Sequence, residues 1–398
     1  MLLDVTRLVW RTWRGRHPTG IDRVCRAYVE HFRRRALGVI QRDGFKLVLS
    51  AAQSDKIFRL FLSEGRVARL KMATAVAGAA LTARRFPPKP GMLYLNVGHT
   101  GLNDPSLSKW IAQNRLRAIY LIHDLIPVTS PEYCRGGEAE KHERRMALAL
   151  KSAAGIIGNS QTTLDDLSAF AAKRDLPMPS THAALISGYE KVEEVKRIAL
   201  DRPHFIVVGT IEGRKNHLLL LKIWQRLFRR MGNSTPLLIV VGQRGWEADE
   251  AIAILDRPGV LRGTVREVVD CGDELLAGLI AGARALLMPS FAEGFGLPIS
   301  EALSLGTPVI ASDLPVFREI AGDIPLYLHP DDAPVWEASI ESFQGEGPER
   351  LRQLAEIRDY QPPTWAEHFN SLESWMKTIV VKVADHSEAA DFQLETTA

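Results

Sequence analysis

Cysteine is scarce in this chain: Cys25, Cys134 and Cys271 are the only three in 398 residues. They are too few and too scattered for a disulfide framework or a zinc site. No Asp-x-Asp pair occurs, and no His, Cys, Asp or Glu spacing matches a metal motif, so no bound divalent ion is expected. The opening MLLDVTRLVW does not read as a secretory leader, and with so few cysteines the expectation is a reducing cytoplasm. Long hydrophobic runs are absent. The longest small-apolar run, residues 72–83 (MATAVAGAALTA), would span about 18 Å as a helix against the roughly 30 Å of a hydrocarbon core. It is flanked by Lys71, Arg84 and Arg85. It reads either as an Ala-rich helix packed on a sheet or as a segment lying at a membrane interface.

What is present suffices for about two globular domains: hydrophobic residues make up 46% and charged residues 24% of the chain. The net charge is only +3, but residues 1–100 carry 19 Lys and Arg against 6 Asp and Glu, a surplus of +13 that leaves −10 for the rest. Such a cationic region can meet nucleic acid, an anionic membrane or a phosphorylated acceptor. Nucleic acid is set aside, because no interleaved aromatics or recognition motif accompany the charge.

After residue 203, short apolar β-branched runs alternate with amphipathic stretches. HFIVVGTI, PLLIVVG, VREVVDC, RALLMPS, PVIASD and PLYLH read as strands of an open parallel α/β sheet. The first half repeats the theme less cleanly. LLDVTRLVW, KLVLS, MLYLNVG, RAIYLIHDL, GIIGNS and HAALISG read as its strands, and residues 21–35 and 138–152 as helices. The charged stretch 190–201 reads as the connection. The division expected is therefore an α/β domain over 1–200, a second over 201–362, a helix at 363–384 packing back on the first, and a disordered tail over 385–398. A cleft is expected between the two sheets.

The most informative segment is MPSFAEGFGLPISEALSLGTPVIAS, residues 288–312. A strand ends at Pro289, Gly294 and Gly296 give a pliant loop, and Pro298 sits in the first turn of a helix that continues past Glu301. The helix amino terminus is then expected to aim into the cleft, where its backbone N–H groups suit a diphosphate. Glu293 and Glu301 would repel a bare diphosphate. They fit instead as acceptors for hydroxyls beside it, from a ribose or a sugar. A second segment, VVGTIEGRKNHLLLL at 207–221, is a strand, a turn and a helix carrying Arg214 and Lys215 in the turn.

EGFGLPISE followed by GTPVIAS resembles the E-x7-E signature of retaining glycosyltransferases of family 4, with the GT-B fold of two Rossmann-like parallel-sheet domains facing an interdomain cleft. The resemblance is strong over about 204–330 and looser before. It implies that Glu301 holds the nucleotide ribose, that Glu293 lies near the transferred sugar, and that Gly294, Phe295, Gly296 and Leu297 line the nucleotide sugar. Arg214 and Lys215 match the family's diphosphate cations, with Gly213 standing where Pro is common. LIHDLIPVTSPEY, residues 121–133, resembles the HDLIP segment of mannosyltransferase-like members, so that His123 would touch the donor sugar and Asp124 the acceptor side. PTGIDRV, residues 18–24, resembles the family's glycine-rich first loop with Thr19 replacing one glycine, and Gly20 would approach donor phosphate or acceptor. Asn159 and Ser160 resemble another cleft segment, although a helix amino-cap at Ser160 accounts for them equally.

The resulting expectation is a cytoplasmic, metal-independent hexosyltransferase. It would take a nucleotide sugar, GDP-mannose favoured, and serve a glycan or lipid-linked acceptor in surface polysaccharide synthesis. A peripheral contact with the inner membrane is also expected. A sugar-nucleotide-binding protein without transferase activity is the rival reading, and donor turnover separates the two.

Overall fold

The computed structural model describes residues 1–14, 20–62, 66–81, 87–188, 195–257, 259, 261 and 263–381. Thr19, Arg84, Arg85, the stretch 190–194 of the connection and the tail from Asp385 lie outside the described residues.

The chain divides into two compact units. The second carries the strands that the β-branched runs announced: β8 (His204–Val208), β9 (Leu237–Val241), β10 (Val265–Val268), β11 (Leu286–Met288), β12 (Val309–Ser312) and β13 (Leu326–Leu328). They pair in parallel in the order β10-β9-β8-β11-β12-β13, the doubly wound arrangement whose order reverses between β8 and β11. Helices cover both faces, so the strands are buried on both sides and read as continuous apolar runs. Trp224 and Trp336, both fully buried, fill the core on one side. Each indole N–H donates to a backbone carbonyl, of Pro236 at 2.9 Å and of His329 at 3.0 Å, so burial leaves no donor unmet.

The first unit holds β1 (Leu2–Asp4), β2 (Leu37–Arg42), β3 (Phe45–Val48), β4 (Leu93–Asn96), β5 (Arg117–Ile122), β6 (Ala153–Gly158) and β7 (Ser180–Ala183). Their order is β3-β2-β1-β4-β5-β6-β7, parallel except for the β2–β3 hairpin, and it reverses between β1 and β4. Two readings of this half need correction. LLDVTRLVW is a strand only as far as Asp4; a helix, Thr6–Arg14, begins at once and buries Leu8 and Val9. The strand β2 was not expected. The described part of the Ala-rich run, residues 72–81, belongs to helix Arg66–Leu81, which packs on helices Thr6–Arg14 and Ala51–Leu62. It buries Met72, Ala75 and Ala79 on one stripe and exposes Lys71 and Leu70. No helix among the described residues is long and apolar enough to cross a membrane.

The division of the chain differs from 1–200 and 201–362 in two places. Ser187 onward already belongs to the second unit, where the Ile198 N–H donates to the Gly278 carbonyl at 3.0 Å. The segment Ile126–Ala139 also belongs there, because Tyr133 stacks on Phe291 at 4.9 Å and Arg135 lies over Trp246 at 4.7 Å. The helix Trp365–Val381 joins the first unit. Its Phe369 stacks on His31 at 3.8 Å and meets Tyr28 edge-on at 5.1 Å. His368 accepts from the Tyr28 hydroxyl at 2.7 Å and donates to the Leu185 carbonyl at 3.0 Å.

Candidate active site

At the carboxyl end of β8 the chain turns through Gly209, a short 3-10 turn Gly213–Lys215, and Asn216, then enters helix His217–Met231. Asn216 takes the left-handed conformation (φ 51°) that its type tolerates, and its amide donates to the Pro330 carbonyl at 3.0 Å. Gly209 must be glycine. Its φ is +140°, and a Cβ there would lie 2.7 Å from Lys215 Cε, so the lysine stem rests directly on bare backbone.

At the end of β11, Ser290 to Gly296 form the facing loop. The Phe291 N–H donates to the Arg214 carbonyl at 2.8 Å and ties the two loops together at the point where the strand order reverses. Gly296, at φ +113°, caps helix Leu297–Ser304, and a Cβ there would strike the Phe317 ring at 2.7 Å. Pro298 follows in the first turn.

These loops bring together Arg214, Lys215 and Glu293. Lys215 Nζ lies 2.6 Å from Glu293 Oε1, Arg214 lies 2.7 Å from Oε2, and the Ser290 hydroxyl donates to Oε1 at 2.8 Å. Arg214 also pairs with buried Glu212 at 2.6 Å and donates to the Ala292 carbonyl. Burial alone would raise the Glu293 carboxyl; the Arg214 and Lys215 charges outweigh it and hold the group at about 2. Glu293 is thus a fully ionised carboxylate neutralised by two cations, a pair that low dielectric makes costly to break on one side. Gly294, Phe295, Gly296 and Leu297 lie in the same loop and helix start. Glu301 is buried one turn into that helix, with its Cγ 2.8 Å from where a Cβ on Gly188 would stand. Glu212, Ser290 and the buried His217 were not singled out from the sequence. Glu212 stands two places before Arg214 and Ser290 three before Glu293, so reading outward from the motif residues would have reached them.

In the first unit, His123 and Asp124 close β5. His123 is buried, and its Nε2 donates to the Val97 carbonyl at 2.8 Å, which fixes the tautomer with Nδ1 unprotonated. The Asn159 amide donates to the His123 carbonyl at 2.9 Å, and Ser160 is indeed a helix amino-cap, accepting from Thr163 N at 3.0 Å. His99, at the end of β4, takes a left-handed backbone (φ 59°) and sets its ring 5.0 Å from that of His123. The His142 ring lies 6.3 Å from that of His99 and donates to the Asp124 carbonyl at 3.2 Å. His99 follows a strand as His123 does, so the same criterion would have found it. Gly20 is exposed at the first position of helix Gly20–Phe32.

Comparison with known proteins adds to this geometry. Residues 189–356 match the model of the family described as glycosyl transferases group 1. The chain is similar to O-antigen chain mannosyltransferase B of Escherichia coli, with 33% identity over 255 residues, 61% of this chain and 64% of that one. It is also similar to the serotype-specific mannosyltransferase WbdA of Escherichia coli, with 28% identity over 260 residues, 60% of this chain and 29% of that one. The match therefore spans less than two thirds of the length of either relative. Among solved structures, Anabaena HepE in complex with UDP-glucose aligns over 98% of this chain and 99% of its own, at a TM-score of 0.61 and 16% identity. With two doubly wound α/β units, the chain has the GT-B fold.

The buried histidines set a pH dependence. Burial presses His123 and His368 down to about 4, His217 to about 3, and His99 well below its usual range. In the unfolded chain these rings bind protons near pH 6.5, but in the folded chain only well below that. Unfolding therefore takes up protons between about pH 6.5 and 4, and stability falls as pH is lowered through that window. Asp4 opposes this, because burial raises its carboxyl to about 6 and the folded chain then binds a proton before the unfolded one does. Burial raises Asp166 in the same direction, so in the first unit two carboxyls stand against four histidines, His99, His123, His182 and His368. Urea unfolding at pH 7, 6 and 5 is expected to show each unit losing about 1.4 kcal/mol per pH unit for every net proton taken up. A stability that stays level or rises on acidification would contradict the neutral histidines.

Proposed function

We propose that the chain is a glycosyltransferase that moves a hexose, mannose favoured, from a nucleotide sugar to a glycan or lipid-linked acceptor of a bacterial surface polysaccharide. The observation that carries this reading is the convergence of Arg214, Lys215 and Glu293 at the carboxyl ends of β8 and β11, inside a glycosyl transferases group 1 domain. The mannosyltransferase names of the Escherichia coli relatives support mannose, with GDP-mannose as the favoured donor. The UDP-glucose of the HepE complex keeps uridine donors in the comparison.

In the mechanism proposed, the bond between the anomeric carbon and the β-phosphate oxygen breaks, and its electron pair stays on that oxygen. The acceptor oxygen bonds to the same face of the anomeric carbon, so configuration is retained. Its proton passes to the departing diphosphate, and no side-chain base is required. Charge grows on the diphosphate during this step, and Arg214 and Lys215 are the cations that meet it. The backbone N–H groups of Gly294 to Leu297 add to that stabilisation, Glu301 takes the ribose hydroxyls, and Glu293 a hydroxyl of the transferred sugar. His123 would contact the sugar as a neutral imidazole, and Asp124 and Gly20 the acceptor. No metal ion enters this account, and the reaction is placed in the cytoplasm.

Turnover is to be measured with GDP-mannose, UDP-glucose and dTDP-rhamnose, in the presence of excess EDTA. We expect turnover with GDP-mannose, undiminished by the chelator. Lys215→Ala and Arg214→Ala are each expected to lower it by about two orders of magnitude, the effect of losing a term of about 2.7 to 4 kcal/mol at a developing anion. Abolition by EDTA with rescue by Mg²⁺, or near-normal turnover in both variants, would overturn the role given to these cations.

The surplus of +13 in residues 1–100 supports a first unit that docks on anionic membrane to reach a lipid-linked acceptor. Each basic residue near such a surface contributes about 1 kcal/mol and is screened over about 8 Å in physiological salt. Co-sedimentation with vesicles is therefore expected to require anionic lipid and to weaken as salt is added. Equal binding to neutral vesicles would refute this.

A further inference from the structure

Buried and half-buried imidazoles among the described residues find partners. His99, His123, His142 and His204 each donate through Nε2 to a backbone carbonyl, and His368 does so through Nδ1. His217 does not. It is 2% exposed, and neither Nδ1 nor Nε2 has a hydrogen-bond partner among the described residues. A neutral imidazole carries one N–H and one lone pair, and a fold that buries both unmet is less stable than one with an apolar ring of similar shape. Such an orphan calls for an explanation.

Its position supplies one. His217 opens the 15-residue helix His217–Met231, two residues after Lys215. Asn216, left-handed and bonded to the Pro330 carbonyl, fixes the turn between them. The charges that act on the ring are those of Lys215 and Glu293. His217 is therefore a buried, neutral, unused donor within the electrostatic reach of the central ion pair.

We propose that His217 is a positioning residue for Glu293: when a diphosphate takes over Lys215, the imidazole N–H donates to the carboxylate that Lys215 leaves. The inference rests on the reading that a donor diphosphate engages Arg214 and Lys215. Once both cations turn to it, the bond from Ser290 Oγ at 2.8 Å is the one hydrogen bond shown to Glu293 that does not come from them. A buried carboxylate held by a single neutral donor is poorly satisfied, and a second N–H already inside the protein removes much of that penalty. The ring is thus unmet in one arrangement and paired in the other. Both facts bias the site toward diphosphate.

The test compares wild type, His217→Phe and His217→Gln by calorimetric titration with GDP and UDP, and with guanosine and uridine as controls that have no phosphate to draw Lys215. His217→Phe is expected to melt at or above the wild-type temperature and to bind the tighter nucleoside diphosphate about tenfold more weakly, the size of one hydrogen bond to a charged group. Affinity for the matching nucleoside should not change, and His217→Gln, which keeps an N–H, should recover most of the loss. In a Glu293→Gln background, where no carboxylate charge is left behind, His217→Phe should have no effect. Should the Phe variant fail to fold, His217→Leu carries the same expectations. Undiminished diphosphate affinity, an equal loss for the nucleoside, or a loss that persists in the Glu293→Gln background would overturn the inference. A wild type that binds neither GDP nor UDP would overturn the reading of the donor site and this inference with it, whereas binding that His217→Phe leaves intact overturns this inference alone.

Discussion

The second unit is organised around one buried carboxylate. Glu293 sits where the strand order reverses, and its negative charge holds Arg214 and Lys215 inward from the neighbouring loop. Two cations packed this closely would repel each other without it. The surrounding backbone serves that cluster: Gly209 makes room for the lysine stem, the Phe291 N–H binds the Arg214 carbonyl, and Gly296 starts the helix that carries Glu301. The consequence for function is a competition. On the function proposed, an incoming diphosphate would have to offer Arg214 and Lys215 a better partner than Glu293, and the two cations already stand together before any ligand arrives.

The six strands of the second unit were legible because a parallel sheet covered on both faces demands unbroken apolar, β-branched runs, and these runs carry them. The loop and helix start of the candidate site were legible because Gly, Pro and Glu in EGFGLPISE each answer a backbone or charge requirement. The first unit is harder for stated reasons. The strand β1 is only three residues long, and Leu8 and Val9 continue its apolar character into a helix, so period alone does not mark the change. The strand β2 hides behind Gly38 and Gln41. Gly38 leaves space that the Leu49 side chain fills, and Gln41 is a buried polar hub whose amide nitrogen shares its two N–H groups among Asp4, the Tyr94 hydroxyl and the Thr100 carbonyl.

What the sequence could not disclose is which partner each charged group takes. Arg214 and Lys215 read as cations for a ligand, and Glu293 as an acceptor of hydroxyls. In the structure the three neutralise one another, a relation that depends on two loops, 78 residues apart in the chain, meeting at the carboxyl ends of the two central strands β8 and β11. The orphaned ring of His217 is equally invisible from spacing, since its neighbours GRKNH give no sign of burial. The segment Ile126–Ala139 is a third case: nothing in HDLIPVTSPEY announces that Tyr133 will stack on Phe291, two residues from Glu293.

The central claim is that Glu293 competes with a nucleoside diphosphate for Arg214 and Lys215, and GDP and UDP binding to Glu293→Gln tests it most directly, because neither ligand carries a sugar that the carboxylate would contact. Removing the internal anion while keeping its shape should tighten binding of the diphosphate relative to wild type. Weaker binding by the variant would contradict the account, because Glu293 would then be a support for the diphosphate site and not its competitor.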